Sequence, residues 1–259
     1  MKLAMDFREF DHLSSQTQRV RLTTERWASQ NVYCFACGCP LQAVAANMPV
    51  LDLSCPDCHR GFELKSSSKP VGRRIPDGAH SAIARRLADV NSPSFLILTY
   101  DGALGTVRQL FGIPSYCIDI SAIEKRSPLS DKARRAGWVG CNIRLDQIPA
   151  AARVDYVRDG LVLPKQTVLA SWQATAFLAH QRQAGARSWL LEVIRCIETL
   201  SAREFVLDDL YRFESHLSSR YPENRHVRAK IRQQLQVLRD SGWLEFRGGG
   251  RYFRTATAA

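Results

Sequence analysis

Four cysteines are the residues whose spacing most directly implies chemistry. Cys34-Phe-Ala-Cys37 is followed, after residues 38–54, by Cys55-Pro-Asp-Cys58. Two short turns, each presenting two thiolates, converge on one tetrahedral Zn²⁺ at this separation. With all four positions filled, no place remains for water, so the expected role of the zinc is in folding and not in catalysis. Cys39 and His59 are alternative ligands beside the pairs. Cys117, Cys141 and Cys196 stand alone and read as core residues.

The second grouping is charged. Asp52 lies just ahead of the second cysteine pair, and Phe62-Glu63-Leu64-Lys65 follows it. Alternate side chains of a strand share a face, so Glu63 and Lys65 point one way while Phe62 and Leu64 point into a core. If Asp52 comes from the adjoining strand, Asp52 and Glu63 converge to hold Mg²⁺, a hard cation that prefers oxygen ligands and keeps waters. Lys65 would then orient or deprotonate the attacking water, with the metal stabilising the charge of a phosphoryl-transfer transition state. This is the arrangement of PD-(D/E)xK nucleases. Taken alone, an aspartate followed by Glu-x-Lys is also a common pattern of solvated surface charges, so context must decide.

Basic residues supply that context. Lys132-Ala-Arg134-Arg135-Ala-Gly137-Trp138 puts two arginines beside a glycine and a large aromatic. Arginines hold phosphates or guanine edges, and a tryptophan on a turn can wedge against a base. Trp138 equally opens the apolar run Trp138-Val139-Gly140-Cys141 and can be a core residue. Arg73 and Arg74 are placed either to meet a DNA backbone or to sit on a solvated loop.

The elements that must carry these residues change character near Gln183-Ala184-Gly185-Ala186, giving domains 1–183 and 184–259. The first mixes helical and strand patterns: helices over 18–29, 79–90 and 168–180, and strands over 50–53, 62–65, 94–100, 106–113 and 138–143. The continuous apolar run 94–100 reads as a strand buried on both faces, hence an α/β core. The second domain reads as helix, helix, helix, hairpin, the order of a winged helix-turn-helix. Leu190, Ile194 and Ile197 line its first helix. Ser201 and Glu204 have the form of a capping box for a second, lined by Leu207, Leu210, Phe213 and Leu217. Val227, Ile231, Leu235 and Leu238 stripe the third helix, leaving Arg225, Arg228, Lys230, Arg232 and Arg239 largely off the stripe. Gly242 stops it, and a hairpin with a glycine tip between Arg247 and Arg251 is shaped as a wing that meets phosphates.

The whole composition agrees. In 259 residues, 36 lysines and arginines against 25 aspartates and glutamates leave +11, which points to a polyanionic partner. At 45% hydrophobic the chain is too apolar for a disordered tail protein, and no run approaches the roughly 18 to 20 residues of a membrane span. Asp6, Arg8 and Glu9 occupy the start, where a signal peptide would be apolar, so a cytoplasmic location is expected.

The cysteine pairs around Asp52 and Phe62-Glu63-Leu64-Lys65-Ser66 recur with Asp77-Gly78-Ala79, Phe95-Leu-Ile-Leu-Thr-Tyr100 and Ala133-Arg-Arg-Ala-Gly-Trp-Val-Gly-Cys-Asn-Ile143. Together with Tyr211-Arg-Phe-Glu-Ser215 and Lys230-Ile-Arg-Gln-Gln-Leu-Gln, they resemble the DpnI family of restriction endonucleases nearly end to end. The resemblance implies a methyl-directed type II enzyme, a zinc-bearing PD-(D/E)xK domain followed by a winged helix. It implies Mg²⁺-dependent cutting of double-stranded DNA at GATC carrying N6-methyladenine. Asp52, Glu63 and Lys65 match the catalytic motif; Cys34, Cys37, Cys55 and Cys58 match the zinc site. Pro49 and Asp52 are separated by Val50 and Leu51, a relaxed form of the Pro-Asp element. The expected DNA contacts are Arg134, Arg135, Trp138, Arg228, Arg232, Arg247 and Arg251, from a chain that is monomeric in solution. The competing expectation is a non-catalytic winged-helix regulator with a structural zinc, which would have no use for the Asp52, Glu63 and Lys65 set.

Overall fold

A computed structural model of the chain describes residues 1–44, 51–87, 89, 92–181, 183–200 and 202–255. Pro49 and Val50, the end of the expected helix at Val90, Ser201 of the expected capping box and residues 256–259 lie outside them. The chain packs as two units, Met1–Gln147 with Ala152–Gln173, and Ile148–Ala151 with Ala174–Ala259. Among the described residues no helix is long and apolar enough to cross a membrane.

Within the first unit the elements run α1 (Gln16–Asn31), β1 (Gln42–Ala43), β2 (Leu53–Ser54), β3 (Gly61–Ser67), β4 (Arg74–Ala79), α2 (His80–Leu87), β5 (Ser94–Asp101), β6 (Thr106–Ile113), β7 (Ile123–Lys125), β8 (Gly140–Arg144), β9 (Val154–Arg158), β10 (Leu161–Val162) and α3 (Lys165–Gln173). Ser15 starts α1 by accepting the Gln18 amide, a side-chain cap that satisfies one of the helix's orphan donors. Seven strands form one sheet in the order β1-β2-β3-β5-β6-β9-β10, and β4-β8-β7 form a second, antiparallel one. β3 and β5 are parallel, with Glu63 beside Phe95 and Lys65 beside Ile97. β5 is buried from Ser94 to Tyr100, as its unbroken apolar run predicts.

Strand parity decides what each face of the large sheet carries. Phe62, Leu96, Leu98 and Tyr100 share a core with Trp27 and Ala28 of α1 and Val168 of α3, and Leu64 packs against it. Glu63, Lys65 and Phe95 are the intervening residues and so project from the opposite face.

Two expectations need correction here. The strand predicted from Trp138 begins at Gly140, and Trp138 belongs to the loop before it. The helix predicted over 168–180 starts at Lys165 and ends at Gln173, with a short 3-10 turn from Ala176 to His180. β1, β4, β7, β9 and β10 had no predicted counterpart.

The second unit contains α4 (Ala184–Thr199), β11 (Glu204–Val206), α5 (Leu207–Tyr211), α6 (Glu214–Arg220), α7 (Val227–Asp240), β12 (Leu244–Phe246) and β13 (Arg251–Arg254), with sheet order β11-β13-β12. The single second helix predicted through Phe213 is two helices, and Glu204 lies in a strand instead of a capping box. The cap falls later, where Asp209 accepts the Val206 amide at 2.9 Å. On α7, Val227, Ile231, Leu235 and Leu238 are all buried. Gly242, at φ +78°, ends α7 with the paired bonds Trp243 to Leu238 and Gly242 to Arg239, the Schellman pattern that needs a left-handed residue.

Candidate active site and thiolate cluster

The two cysteine pairs fold into matching turns. Cys34 N–H bonds the Cys39 carbonyl and Cys55 N–H the Arg60 carbonyl; Gly38 and His59 close the turns onto Cys34 and Cys55. Both closing residues have positive φ, +78° at Gly38 and +59° at His59. The Ala36 amide points at Cys34 Sγ and the Cys58 amide at Cys55 Sγ. The four sulfurs gather within 4.8 Å of one another, with Cys34 to Cys58 at 3.6 Å, Cys37 to Cys55 at 3.4 Å and Cys37 to Cys58 at 3.7 Å. Tetrahedral thiolates about 2.3 Å from zinc stand about 3.8 Å apart, so the donor set fits that ion. Burial pushes the Cys34 thiol well up and Cys37 up to about 11. Burial also acts against the Cys55 thiolate, but the Cys58 and Asp57 amides outweigh it and bring Cys55 down to about 7. His59 is spent on the backbone turn, and neither it nor Cys39 belongs to the four-sulfur group.

β2 ends where this cluster begins. Leu53 pairs with Phe62, and beyond it the ladder becomes irregular, the Asp52 amide bonding Phe62 O at 3.0 Å. The Asp52 carboxylate then accepts the Leu64 amide at 2.8 Å, replacing a strand carbonyl. Asp52 thus sits against the backbone of the residue that separates Glu63 from Lys65.

Glu63 and Lys65 form an ion pair on the face of β3 opposite Phe62 and Leu64. Lys65 is also bonded by Asp77 from β4, which the sequence reading had not singled out for chemistry. Arg86 of α2 closes the group, its Nη1 2.7 Å from Glu63 Oε2 and its Nη2 3.7 Å from Asp77 Oδ2. Lys65 and Arg86 both lie over the Phe95 ring, at 5.7 and 5.3 Å. Burial raises the Glu63 carboxyl above its ordinary value despite the two cations. Burial works against the Lys65 ammonium as well, but Glu63 and Asp77 overcome it and hold its pKa above the usual value. Asp52 and Glu63 supply hard oxygen atoms of the kind Mg²⁺ prefers; here Glu63 is ion-paired through one oxygen with Lys65 and through the other with Arg86, and Asp52 is bonded to the Leu64 amide.

The expected DNA-contacting residues are divided between the two units. Arg134 and Arg135 are exposed, Arg135 stacks on Trp138 at 4.9 Å, and Trp138 is half-buried. The Trp138 ring lies so close to Gly140 that a Cβ there would meet it at 2.7 Å. Of the earlier pair, Arg73 is exposed, whereas Arg74 makes two bonds to Glu124, at 2.8 and 2.9 Å. In the second unit, Arg228 bonds Glu214 at 2.7 Å and stacks on Tyr211, whose hydroxyl Arg232 also meets. Arg247 stacks on Phe253 at 4.2 Å and Arg251 is exposed, on either side of three glycines with positive φ.

Two family models meet this architecture. The one described as DpnI, the Dam-replacing family, matches residues 1–181. The one described as the Dam-replacing HTH domain matches residues 185–254. A mixed α/β unit with a four-cysteine cluster, followed by a helix-turn-helix domain, therefore places the chain in the Dam-replacing, DpnI-like family.

Proposed function

We propose that the protein is a methyl-directed, Mg²⁺-dependent type II DNA endonuclease with a PD-(D/E)xK core, acting at GATC sites that carry N6-methyladenine. The observation that carries this reading is the setting of β3: Glu63 and Lys65 are paired on one face, and Asp52 accepts the Leu64 amide between them. Asp52 and Glu63 would hold Mg²⁺. When bound, that ion neutralises charge on the phosphoryl oxygens and assists the leaving oxygen. Lys65 Nζ, held between Glu63 and Asp77, would orient the attacking water against the phosphate or take its proton. The four cysteines hold a structural zinc that fixes the turn leading out of β2.

DNA binding rests on the basic loop with Arg134, Arg135 and Trp138 and on the winged helix with Arg228, Arg232, Arg247 and Arg251. A methyl group in an apolar pocket contributes only about 1 to 3 kcal/mol. Reading the site once per domain multiplies that discrimination, and Trp138 is the first aromatic to substitute. The protein with Mg²⁺ is expected to fragment adenine-methylated plasmid and spare the same plasmid from a methylation-deficient host. Equal digestion of both would reject methyl dependence, and no digestion of either would leave the DNA-binding regulator as the better account.

A further inference from the structure

We infer that Asp77 and Arg86 are positioning residues of the cleavage site, Asp77 fixing the Lys65 amine and Arg86 fixing Glu63. The inference rests on the nuclease reading above and adds β4 and α2 to it. Asp77 comes from an irregular position: the β4–β8 register shifts between Asp77 and Ala79, the kind of bulge that re-aims a side chain. The Gly78 amide bonds Asp77 Oδ1 at 2.7 Å, and Cys141 Sγ meets the Gly78 carbonyl, so strand, bulge and carboxylate are held together. Lys65 has a flexible four-carbon stem. Between Glu63 and Asp77, with Phe95 below, its amine has one place to stand.

Arg86 performs the matching task for Glu63. It lies one helical turn from buried Ile83, on the face of α2 turned inward, and its guanidinium reaches Glu63 and Asp77 together. Two carboxylates and two cations make a neutral, largely buried group, with Asp77 only 6% and Glu63 11% exposed in their side chains. Such groups seldom stabilise a fold more than apolar residues of the same volume would. This one is not even saturated, since Arg86 Nε and Nη2 are buried without a hydrogen bond. What it does achieve is a fixed orientation of two side chains that the proposed chemistry requires, the second tier of support that precise sites need.

The test uses the full-length, zinc-loaded protein and a methylated GATC duplex, reading single-turnover cleavage with Mg²⁺ and DNA affinity with Ca²⁺. Asp77→Asn and Arg86→Met should each slow cleavage about 100-fold, the usual effect of a small misplacement, while DNA affinity stays within about twofold. Arg86→Lys should recover part of the rate, because it restores the charge but not the fork. Cleavage by Asp77→Asn or Arg86→Met at the parent rate overturns the inference, as does a rate loss matched by an equal loss of DNA affinity. Should Asp77→Asn show no cooperative melting transition, Arg86→Lys decides. A rate at least about tenfold below the parent with affinity kept supports the inference, and the parent rate overturns it. Glu63→Gln is the control: if it cuts normally, the nuclease reading fails, whatever Asp77 and Arg86 do.

Discussion

Lys65 sits between two carboxylates and over an aromatic ring, a setting that fixes its charged amine in place. Lys65→Met should therefore slow cleavage on the order of 100- to 1000-fold, as loss of a preorganised charge does, with DNA affinity nearly unchanged in a filter-binding or anisotropy titration. Glu124 offers a second test, one of stability. Bonds from Arg74 and Asn142, with Arg144 nearby, bring its carboxyl down to about 2 from an ordinary 4.5. A depressed acid stabilises the fold above its unfolded value and loses that contribution as pH falls through the folded one. The difference in melting temperature between the parent and Glu124→Gln should thus be full at pH 7 and close between about pH 4.5 and 2. A gap unchanged down to pH 2 would show that the ionised Glu124 carboxylate is not what stabilises the contacts across β4, β7 and β8. The positioning roles proposed for Asp77 and Arg86 were not legible in sequence, although Asp77 belongs to one of the blocks that resemble the family. Their meeting with Glu63 depends on β4 folding back against β8, a pairing of Arg74 with Arg144 that no local pattern announces.

The cysteine turns tie backbone conformation to the four-sulfur group. His59 holds a left-handed conformation that costs an L-residue about 1 to 2 kcal/mol, whereas glycine adopts it freely. His59→Gly should retain one zinc per chain and melt at the same temperature or slightly higher; loss of zinc would show that His59 is a ligand after all. The wing makes a different prediction. If Arg247 and Arg251 each meet a phosphate, replacing either by alanine should reduce the slope of log affinity against log salt by about 1. An unchanged slope would remove the wing from the interface. Most of these elements could be read from residue spacing, because the stripe of α7 and the apolar run of β5 are strong periodic signals. β9 could not: Arg153, Asp155 and Arg158 make Val154–Arg158 look like a solvated loop, yet Asp155 is buried and paired with both arginines. The break between α5 and α6 was hidden for the opposite reason. Leu207, Leu210, Phe213 and Leu217 keep helical spacing across it, while the Phe213 amide turns back tightly to Leu210.

Across the molecule, an excess of 11 positive charges favours any phosphate backbone, without regard to sequence or methylation. Under the proposed nuclease function, selectivity and cutting come from particular groups set against that background. The thiolate cluster and the charged group share one short stretch, since Asp52 and Cys55 flank the two residues of β2. They nonetheless present different atoms, sulfur in one and carboxylate oxygen in the other. Removing the Asp52 carboxylate should therefore separate cutting from both folding and binding. The most direct test compares the parent and Asp52→Ala on a methylated GATC duplex with Mg²⁺, at protein concentrations that saturate the DNA, with zinc measured in both. The expected result is cleavage by the parent alone, with equal zinc and equal DNA affinity in the two proteins. Cleavage by Asp52→Ala at the parent rate would contradict the account.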